Sequence, residues 1–333
     1  MPMMKKFNPN LVKLLNILND GQYHDGDSVG RRLGMTRSAV WKTIKKLEAY
    51  EVAIDSVKGK GYALFDPLIL LETQKIKKRL NEKVDLHLFE SIASTNDYLK
   101  SIKPVKGISF CLAEQQTSGK GRLNREWYSP FGRNIYLSCL YSFQKDISEL
   151  SGLSLVISLT ILKTLKNYGI TGLFVKWPND IVHGNKKIAG SLIEIQAETH
   201  GFCQAIIGVG LNVNMLGGDL PITQAWTSMR KILGSPVDRN ELCARLINTL
   251  LADLREFEEV GFSGFVDRWS EADALANQTI TLKNVREEIR GKVAGINEHG
   301  HLLLRLANGS IRAFSSGDTS IVKKGEHSSP GHS

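Results

Sequence analysis

The chain of 333 residues carries 43 lysines and arginines against 34 aspartates and glutamates, a net charge of +9 at pH 7, and its length suits about two or three domains with at least one sizeable core. No apolar run is long enough to cross a bilayer, and the opening MPMMKKFNPN has basic residues without an apolar segment behind them, which argues against export and against a membrane partner. Cys111, Cys139, Cys203 and Cys243 are widely spaced, form no Cys-x-x-Cys pair and sit in mostly apolar surroundings, as reduced thiols of a cytoplasmic protein do; no metal site is expected.

Charge is uneven. Up to Phe65 there are eleven lysines and arginines against six acids, so about a fifth of the chain holds +5 of the +9. Leu11, Leu14, Leu15 and Leu18 predict a helix that ends at Asn19-Asp20-Gly21. A second helix follows Asp25, with Val29 and Leu33 one turn apart and Gly34 as its stop. Thr36 is an N-cap for a third, whose Val40, Ile44 and Leu47 face inward and whose Arg37, Ser38, Trp41, Lys42 and Lys45 face outward. VAIDSVKGKGYAL then reads as a strand, a turn holding Lys58 and Lys60, and a returning strand, the wing of a winged helix-turn-helix. Operator DNA is the partner favoured for so basic a helix, with Thr36, Arg37, Ser38, Lys42, Lys45, Lys58 and Lys60 as the candidate contacts, over a helix-turn-helix that binds only protein.

Beyond Pro67, strands are predicted at 85–89, 108–115, 134–141, 173–177, 187–196 and 203–213, with helices over 149–168 and 240–260, the pattern of an α+β domain. Four stretches on strand ends or loops carry polar groups. Ser94, Thr95 and Asn96 suit equally an uncharged ligand head or the cap of the following helix. GKGRLNREW, 119–127, sets Gly119, Lys120, Gly121, Arg122, Arg125 and Trp127 in nine residues, a composition that favours anions over side-chain bulk. It is no Walker loop, since Glu114 stands at the required glycine and Gly121 follows Lys120. KWPND, 176–180, holds the chain extended before proline and presents Asn179 and Asp180 beside Lys176; alone it is only a turn. KKIAG, 186–190, puts Lys187 before an apolar strand with Gly190 permitting close approach; by itself such a lysine is usually exposed.

From Gln278, TITLK, EEIRGKVAGI, LLLRL and SIRAF read as short strands with Asn308-Gly309 as a hairpin turn, a small SH3-like β-barrel. GEHSSPGHS at the end is expected to be disordered, and His327 and His332 there are too sparse for a metal.

Ser-Thr-Asn, Gly-x-Gly-Arg-x-x-Arg-x-Trp, Lys-Trp-Pro-Asn-Asp, Lys-x-Ala-Gly and Gly-x-Gly-x-Asn, in this order and separation, resemble the biotin protein ligase family. With the winged helix, nearly the whole chain is similar to bifunctional ligases that also repress biotin operons. The resemblance implies an α+β multidomain fold: a winged helix-turn-helix over 1–66, a central class II aminoacyl-tRNA-synthetase-like α+β catalytic domain over 67–272, an SH3-like β-barrel over 273–325, and a disordered tail over 326–333. The barrel then assists ATP and carrier-domain binding or serves as a stabilising cap.

The activity implied is the joining of biotin to ATP, with magnesium, to give biotinyl-5′-AMP and pyrophosphate, followed by biotinyl transfer to a lysine of a carboxylase's biotin carboxyl carrier domain. By the same resemblance, Ser94, Thr95, Asn96 and Gln116 hold biotin, together with Gly119, Lys120, Gly121, Arg122, Trp127, Lys187 and Gly190. Arg122, Arg125, Lys176, Asn179, Asp180, Asn212 and Trp226 bind ATP, Trp226 by stacking on the base. Lys187, Arg122 and Asp180 are the catalytic candidates: a clamp on the carboxylate, a phosphate cation, and an aid to deprotonating the acceptor lysine. A ligand-linked homodimer on a two-fold operator follows as well. Lys120 stands where many relatives have arginine, Asn124 where glycine is common, and the segment from Asn212 to Trp226 is short for a repressor of this kind. Three rival readings are a biotin-adenylate sensor without turnover, a ligase that does not read DNA, and a lipoate or octanoyl transferase of the same fold.

Overall fold

The computed structural model describes residues 5–6, 8–102, 108–197, 203–217, 220–283, 287–315 and 317–321. The tail over 326–333, expected to be disordered, lies outside them. In chain order the elements are β1 (Lys5–Lys6), α1 (Pro9–Leu18), α2 (Gly26–Leu33), α3 (Arg37–Glu48), β2 (Asp55–Val57), β3 (Gly61–Ala63), α4 (Thr73–Lys77), β4 (Asp85–Ser91), α5 (Thr95–Ser101), β5 (Ser109–Ala113) and β6 (Ile135–Phe143). Then come α6 (Leu153–Lys166), β7 (Leu173–Lys176), β8 (Asp180–His183), β9 (Lys186–Ala197), β10 (Cys203–Leu211), α7 (Met229–Leu233), α8 (Arg239–Val260) and α9 (Val266–Ser270). The last strands are β11 (Thr279–Lys283), β12 (Glu288–Ile296), β13 (Leu302–Arg305), β14 (Ile311–Phe314) and β15 (Asp318–Ile321). Two compact units result: residues 1–142, 192–196 and 204–248, and residues 143–191, 197–203 and 249–333.

In the first unit the three N-terminal helices form where the leucine spacing places them. Asp25 caps α2 by accepting from Asp27 and Ser28 N–H, Gly34 ends it at φ 65°, and Thr36 caps α3 by accepting from Ala39 N–H. Leu11, Leu14, Leu15, Leu18, Val29, Val40, Ile44 and Leu47 share one core; each such burial is worth about 1.5–3 kcal/mol. That core continues through Leu64, Leu68 and Leu70 to Phe131, on which Tyr50 stacks with ring centroids 4.5 Å apart. The unit's sheet runs β1-β4-β5-β6-β10 and then the later part of β9. β4 and β5 are parallel, with Phe89 opposite Ala113, and β6 is antiparallel to β5.

A buried ion pair ties this sheet to its surroundings. Arg239 Nη2 lies 2.6 Å from Glu114 Oε2, both side chains being wholly inaccessible. The guanidinium also donates to the carbonyls of Ile69 and Asn134, and Glu114 Oε1 accepts from Leu71 N–H. Burial raises the Glu114 carboxyl above its ordinary range, and Arg239 only partly offsets this.

In the second unit β7, β8 and the first part of β9 form an antiparallel meander, and the C-terminal strands form a separate antiparallel sheet in the order β14-β13-β12-β11-β15. Two expectations need correction here. The helix predicted from residue 149 starts at Leu153, because Gly152 takes φ 83° with Phe262 packed against it, and residues 147–150 form a separate 3₁₀ turn. The segment Ile147–Lys166 is also apolar enough, at mean hydropathy 1.4, to match a membrane span, contrary to the sequence reading; yet 61% of it is buried within the fold, as in a core helix. Strands β8 and β15 escaped the sequence reading, since Asn179-Asp180 looks like a turn and Asp-Thr-Ser has little strand character.

Substituting Arg239→Met leaves Glu114 buried without its cation, and chemical denaturation is expected to show a loss of about 3–5 kcal/mol. Arg239→Met with Glu114→Leu should recover only the part due to the unpaired charge, because Ile69 O, Asn134 O and Leu71 N–H still lose their partners.

Candidate functional site

The first set of site residues lies in the first unit, at the turn between β4 and α5. Ser94, Thr95 and Asn96 are all buried. Ser94 does cap α5, its Oγ accepting from Asp97 N–H at 3.4 Å, while Thr95 and Asn96 turn inward. Thr95 donates to Gln116 Oε1 through both its N–H, at 2.9 Å, and its hydroxyl, at 3.0 Å. Ser138 Oγ, from β6, lies 2.7 Å from Thr95 Oγ1 and 2.6 Å from Asn96 Oδ1. Asn96 Nδ2 donates to Glu194 Oε2, and Lys100 reaches Glu194 Oε1 at 2.5 Å. Burial would lower the Lys100 ammonium, but Glu194 and then Asp97 outweigh it and hold the group above its ordinary value. Ser138 and Glu194 were missed in the sequence; the available signal was a polar residue inside an otherwise apolar strand.

The glycine loop is a closed hairpin. Trp127 N–H donates to Gly119 O at 2.9 Å, Gly121 N–H to Arg125 O at 2.7 Å, and Lys120 bridges to Glu126. Arg122 begins a 3₁₀ turn in which Leu123 and Asn124 take φ 55° and 57°, so Asn124 occupies a left-handed position that asparagine accepts readily and leucine does not. A side chain at Gly119 would meet Ser129 Oγ at 2.8 Å. Lys120 does not stand alone: its ammonium pairs with Asp97 at 2.7 Å.

Strand β10 explains the Gly-x-Gly-x-Asn stretch. A Cβ at Gly208 would lie 2.5 Å from Asn96 Oδ1, and one at Gly210 would run into the Trp127 ring. These glycines leave room for two candidate side chains rather than for a turn. Asn212 Nδ2 donates to Thr227 O at 3.1 Å, and Lys231 sits 4.1 Å from the centre of the Trp226 ring, covering one of its faces. Lys231 was not foreseen.

The second set lies in the second unit. Lys176 and Asp180 are cross-strand neighbours on β7 and β8, and Asp180 faces Gly190 of β9. Lys187 Nζ lies 2.7 Å from Asp180 Oδ1, both side chains being less than a fifth exposed. A Cβ at Gly190 would stand 2.9 Å from Lys187 Cε, so glycine there makes space for the lysine's bend toward Asp180. Asn179 is buried and donates to Ser191 O at 2.6 Å, and Trp177 Nε1 donates to Gly300 O.

On α3, Thr36, Arg37, Ser38, Trp41, Lys42 and Lys45 are exposed, as are Lys58 and Lys60 of the turn between β2 and β3. Arg37 approaches Asp27 at 3.4 Å, and Lys45 pairs with Glu48 at 2.6 Å, both near solvent.

The biotin/lipoate A/B protein ligase family model matches residues 88–212, an HTH domain matches 11–63, and the biotin protein ligase C-terminal domain matches 276–322. The bifunctional ligase/repressor BirA of Salmonella typhimurium is 37% identical over 93% of this chain and 97% of its own length. The chain belongs to the biotin protein ligase family. The Escherichia coli BirA is 36% identical over 93% of this chain and 96% of its own length. Among solved structures, the biotin protein ligase of Aquifex aeolicus in complex with biotin and ATP aligns at TM-score 0.63 and 28% identity, over 72% of this chain and 99% of that one. Within the ligase family, this chain joins the three domain types in one polypeptide.

Gly210→Ala is expected to displace Trp127 and cost about 1–3 kcal/mol through overpacking. Thermal denaturation and a red shift in tryptophan emission check it.

Proposed function

We propose that this chain activates biotin with ATP to biotinyl-5′-AMP, transfers the biotinyl group to a lysine of a carboxylase's biotin carrier domain, and represses transcription by binding operator DNA. Membership of the ligase family supports the first two steps, and the winged helix with its exposed cations supports the third. The observation that carries the reading is the half-enclosed Lys187–Asp180 pair set against Gly190, in the Lys-x-Ala-Gly context of the family.

In adenylation a carboxylate oxygen bonds to the α-phosphorus and pyrophosphate leaves, so anions approach one another and fixed cations lower the barrier. Arg122 and Arg125 are assigned to the phosphates and Lys187 to the carboxylate, where it acts as an electrostatic clamp and not as a nucleophile. Thr95, Asn96 and Gln116 are assigned to the uncharged head of biotin, and Trp127 to ordering the loop. Asn212 and Trp226 are assigned to adenosine, which leaves Trp226 the face not covered by Lys231. Magnesium would enter on the phosphates of ATP, which supply most of its oxygen ligands in sites of this kind.

In the transfer step the neutral amine of the acceptor lysine attacks the carbonyl and AMP leaves. A free lysine has a pKa of about 10.4, so that amine is scarce near pH 7, and Asp180 is assigned to receive its proton. The mixed anhydride is prone to hydrolysis, and a closed loop excludes water from it. The finer parts of the reading are a homodimer favoured by the adenylate, which a two-fold operator requires, and a cytoplasmic location, which the free, buried thiols of Cys111, Cys139, Cys203 and Cys243 suit.

Lys187→Ala is expected to lower biotin-dependent ATP–pyrophosphate exchange by about 10²- to 10³-fold; unchanged exchange would refute the role of Lys187. Lys42→Ala should weaken operator binding and reduce the slope of log affinity against log salt by about 1. In a footprinting titration biotinyl-5′-AMP should tighten operator binding, and equal affinity with and without it would break the proposed linkage.

A further inference from the structure

Trp41 is the large apolar exception on the outer face of α3. The helix turns Val40, Thr43, Ile44 and Leu47 inward, and Trp41 stands outside their core and outside the half-buried shell of Val12, Leu33, Met35, Ile54 and Tyr62 packed on it. It remains 49% exposed. A single apolar side chain on a surface is ordinary, but this one is set among cations. Arg37 lies one turn before it, Lys45 one turn after it and Lys42 beside it, all three exposed. Lys45 places its ammonium 6.0 Å from the ring centre and pairs with Glu48 at 2.6 Å, while Arg37 leans toward Asp27 of α2. A cationic face around a bare aromatic ring complements a surface that is anionic at its edges and carries an apolar target between them. The major groove of duplex DNA is such a surface, with phosphates along both edges and the C5-methyl group of thymine on its floor.

We infer that Trp41 is a base-reading residue: it meets a thymine methyl in each half-site of the operator and sets the sequence preference there, while the cations around it supply affinity. Its place in the helix suits the task. Trp41 is the fifth residue of α3, one turn past Arg37, within the N-terminal stretch by which a recognition helix reaches base edges. Its chemistry suits it as well. An indole presents a broad apolar surface on only two rotatable bonds, so it covers a methyl group at little cost in ordering. Arg37, Lys42 and Lys45 bond to phosphates or to guanine acceptors and gain nothing from a methyl group. Another cation in this place would strengthen binding to phosphates, which carry no sequence information. An apolar ring discriminates instead, because a polar base edge pressed against it loses water without gaining a partner. The inference rests on the operator-binding reading and adds the residue that chooses among sequences; it leaves the ligase reaction untouched.

The test uses the full chain with saturating biotinyl-5′-AMP and a pool of random DNA duplexes, from which the bound fraction is sequenced. The unaltered chain is expected to select a two-fold site with a thymine in each half-site that Trp41→Phe still demands and Trp41→Ala no longer does. Replacing that thymidine by deoxyuridine removes only the methyl group. The exchange should cost the unaltered chain about four-fold in affinity per half-site, the worth of one buried methyl group, and should cost Trp41→Ala nothing. Trp41→Ala should bind the selected site about ten- to a hundred-fold more weakly, yet with the same slope of log affinity against log salt, since a neutral side chain displaces no counterions. The deoxyuridine measurement on the unaltered chain stands even if a variant fails to fold. Identical selected sites for the unaltered chain and Trp41→Ala would overturn the role of Trp41, as would equal affinity for thymidine and deoxyuridine at every selected position. Unchanged selection by Trp41→Ala together with weaker self-association would give the ring to a protein contact instead. In each of these cases the operator reading stands. Failure of the unaltered chain to enrich any sequence would strike the operator reading itself, and the role of Trp41 with it.

Discussion

Arg239 and Glu114 meet in a region with no solvent to screen or hydrate them, and the polar groups gathered around them decide how the first unit is assembled. A desolvated carboxylate and guanidinium are tolerated only when nearly every donor and acceptor finds a partner. The partners are backbone groups of residues 69–71 and 134, so the start of α8, the end of β5, the segment before α4 and the start of β6 are fixed together. Asn240 adds two bonds to the same segment, at Leu70 O and Glu72 N–H. Gln116 lies two residues beyond Glu114, so this anchor also sets where its amide meets Thr95.

The site is shaped as much by missing side chains as by present ones. Gly208 and Gly210 lie on β10 where Asn96 and Trp127 rest, and Gly190 on β9 lies where Lys187 bends toward Asp180. In each case a methyl group would occupy volume that a candidate ligand-binding side chain already fills. The polar circuit through Thr95, Gln116, Ser138, Asn96 and Glu194 is linked by hydrogen bonds among its own side chains, which holds their rotamers in register with one another.

The helix-turn-helix is joined to the sheet of its unit by more than the chain. Tyr50, just past α3, stacks on Phe131 and donates to Glu90 Oε1 at 2.5 Å, the oxygen that Lys46 also reaches. Burial, followed by the Glu90 carboxylate, raises the Tyr50 phenol well above its ordinary range, so it remains a donor at any physiological pH. Asn19 exchanges two hydrogen bonds with the backbone of Leu68, and Asp66 holds both Arg133 and Arg230. Arg230 lies four residues after Trp226, so the turn assigned to adenosine and the junction behind the DNA-binding helices share a charge cluster.

The amino-acid order alone determined the three N-terminal helices, the cap at Thr36, the stop at Gly34, four of the five C-terminal strands, and the succession of motifs that names the family. Those features are local: side-chain periodicity, cap chemistry and glycine at positive φ act within a few residues of themselves. Only the tertiary structure decided that Asp180 opens a strand, that Gly208 and Gly210 make room for side chains, and that Lys120 answers to Asp97. Ser138 meets Asn96 across 42 positions and Glu194 meets it across 98. Contacts at such separations are set by strand register and by which polar groups burial forces together, and neither leaves a periodic trace in one sequence.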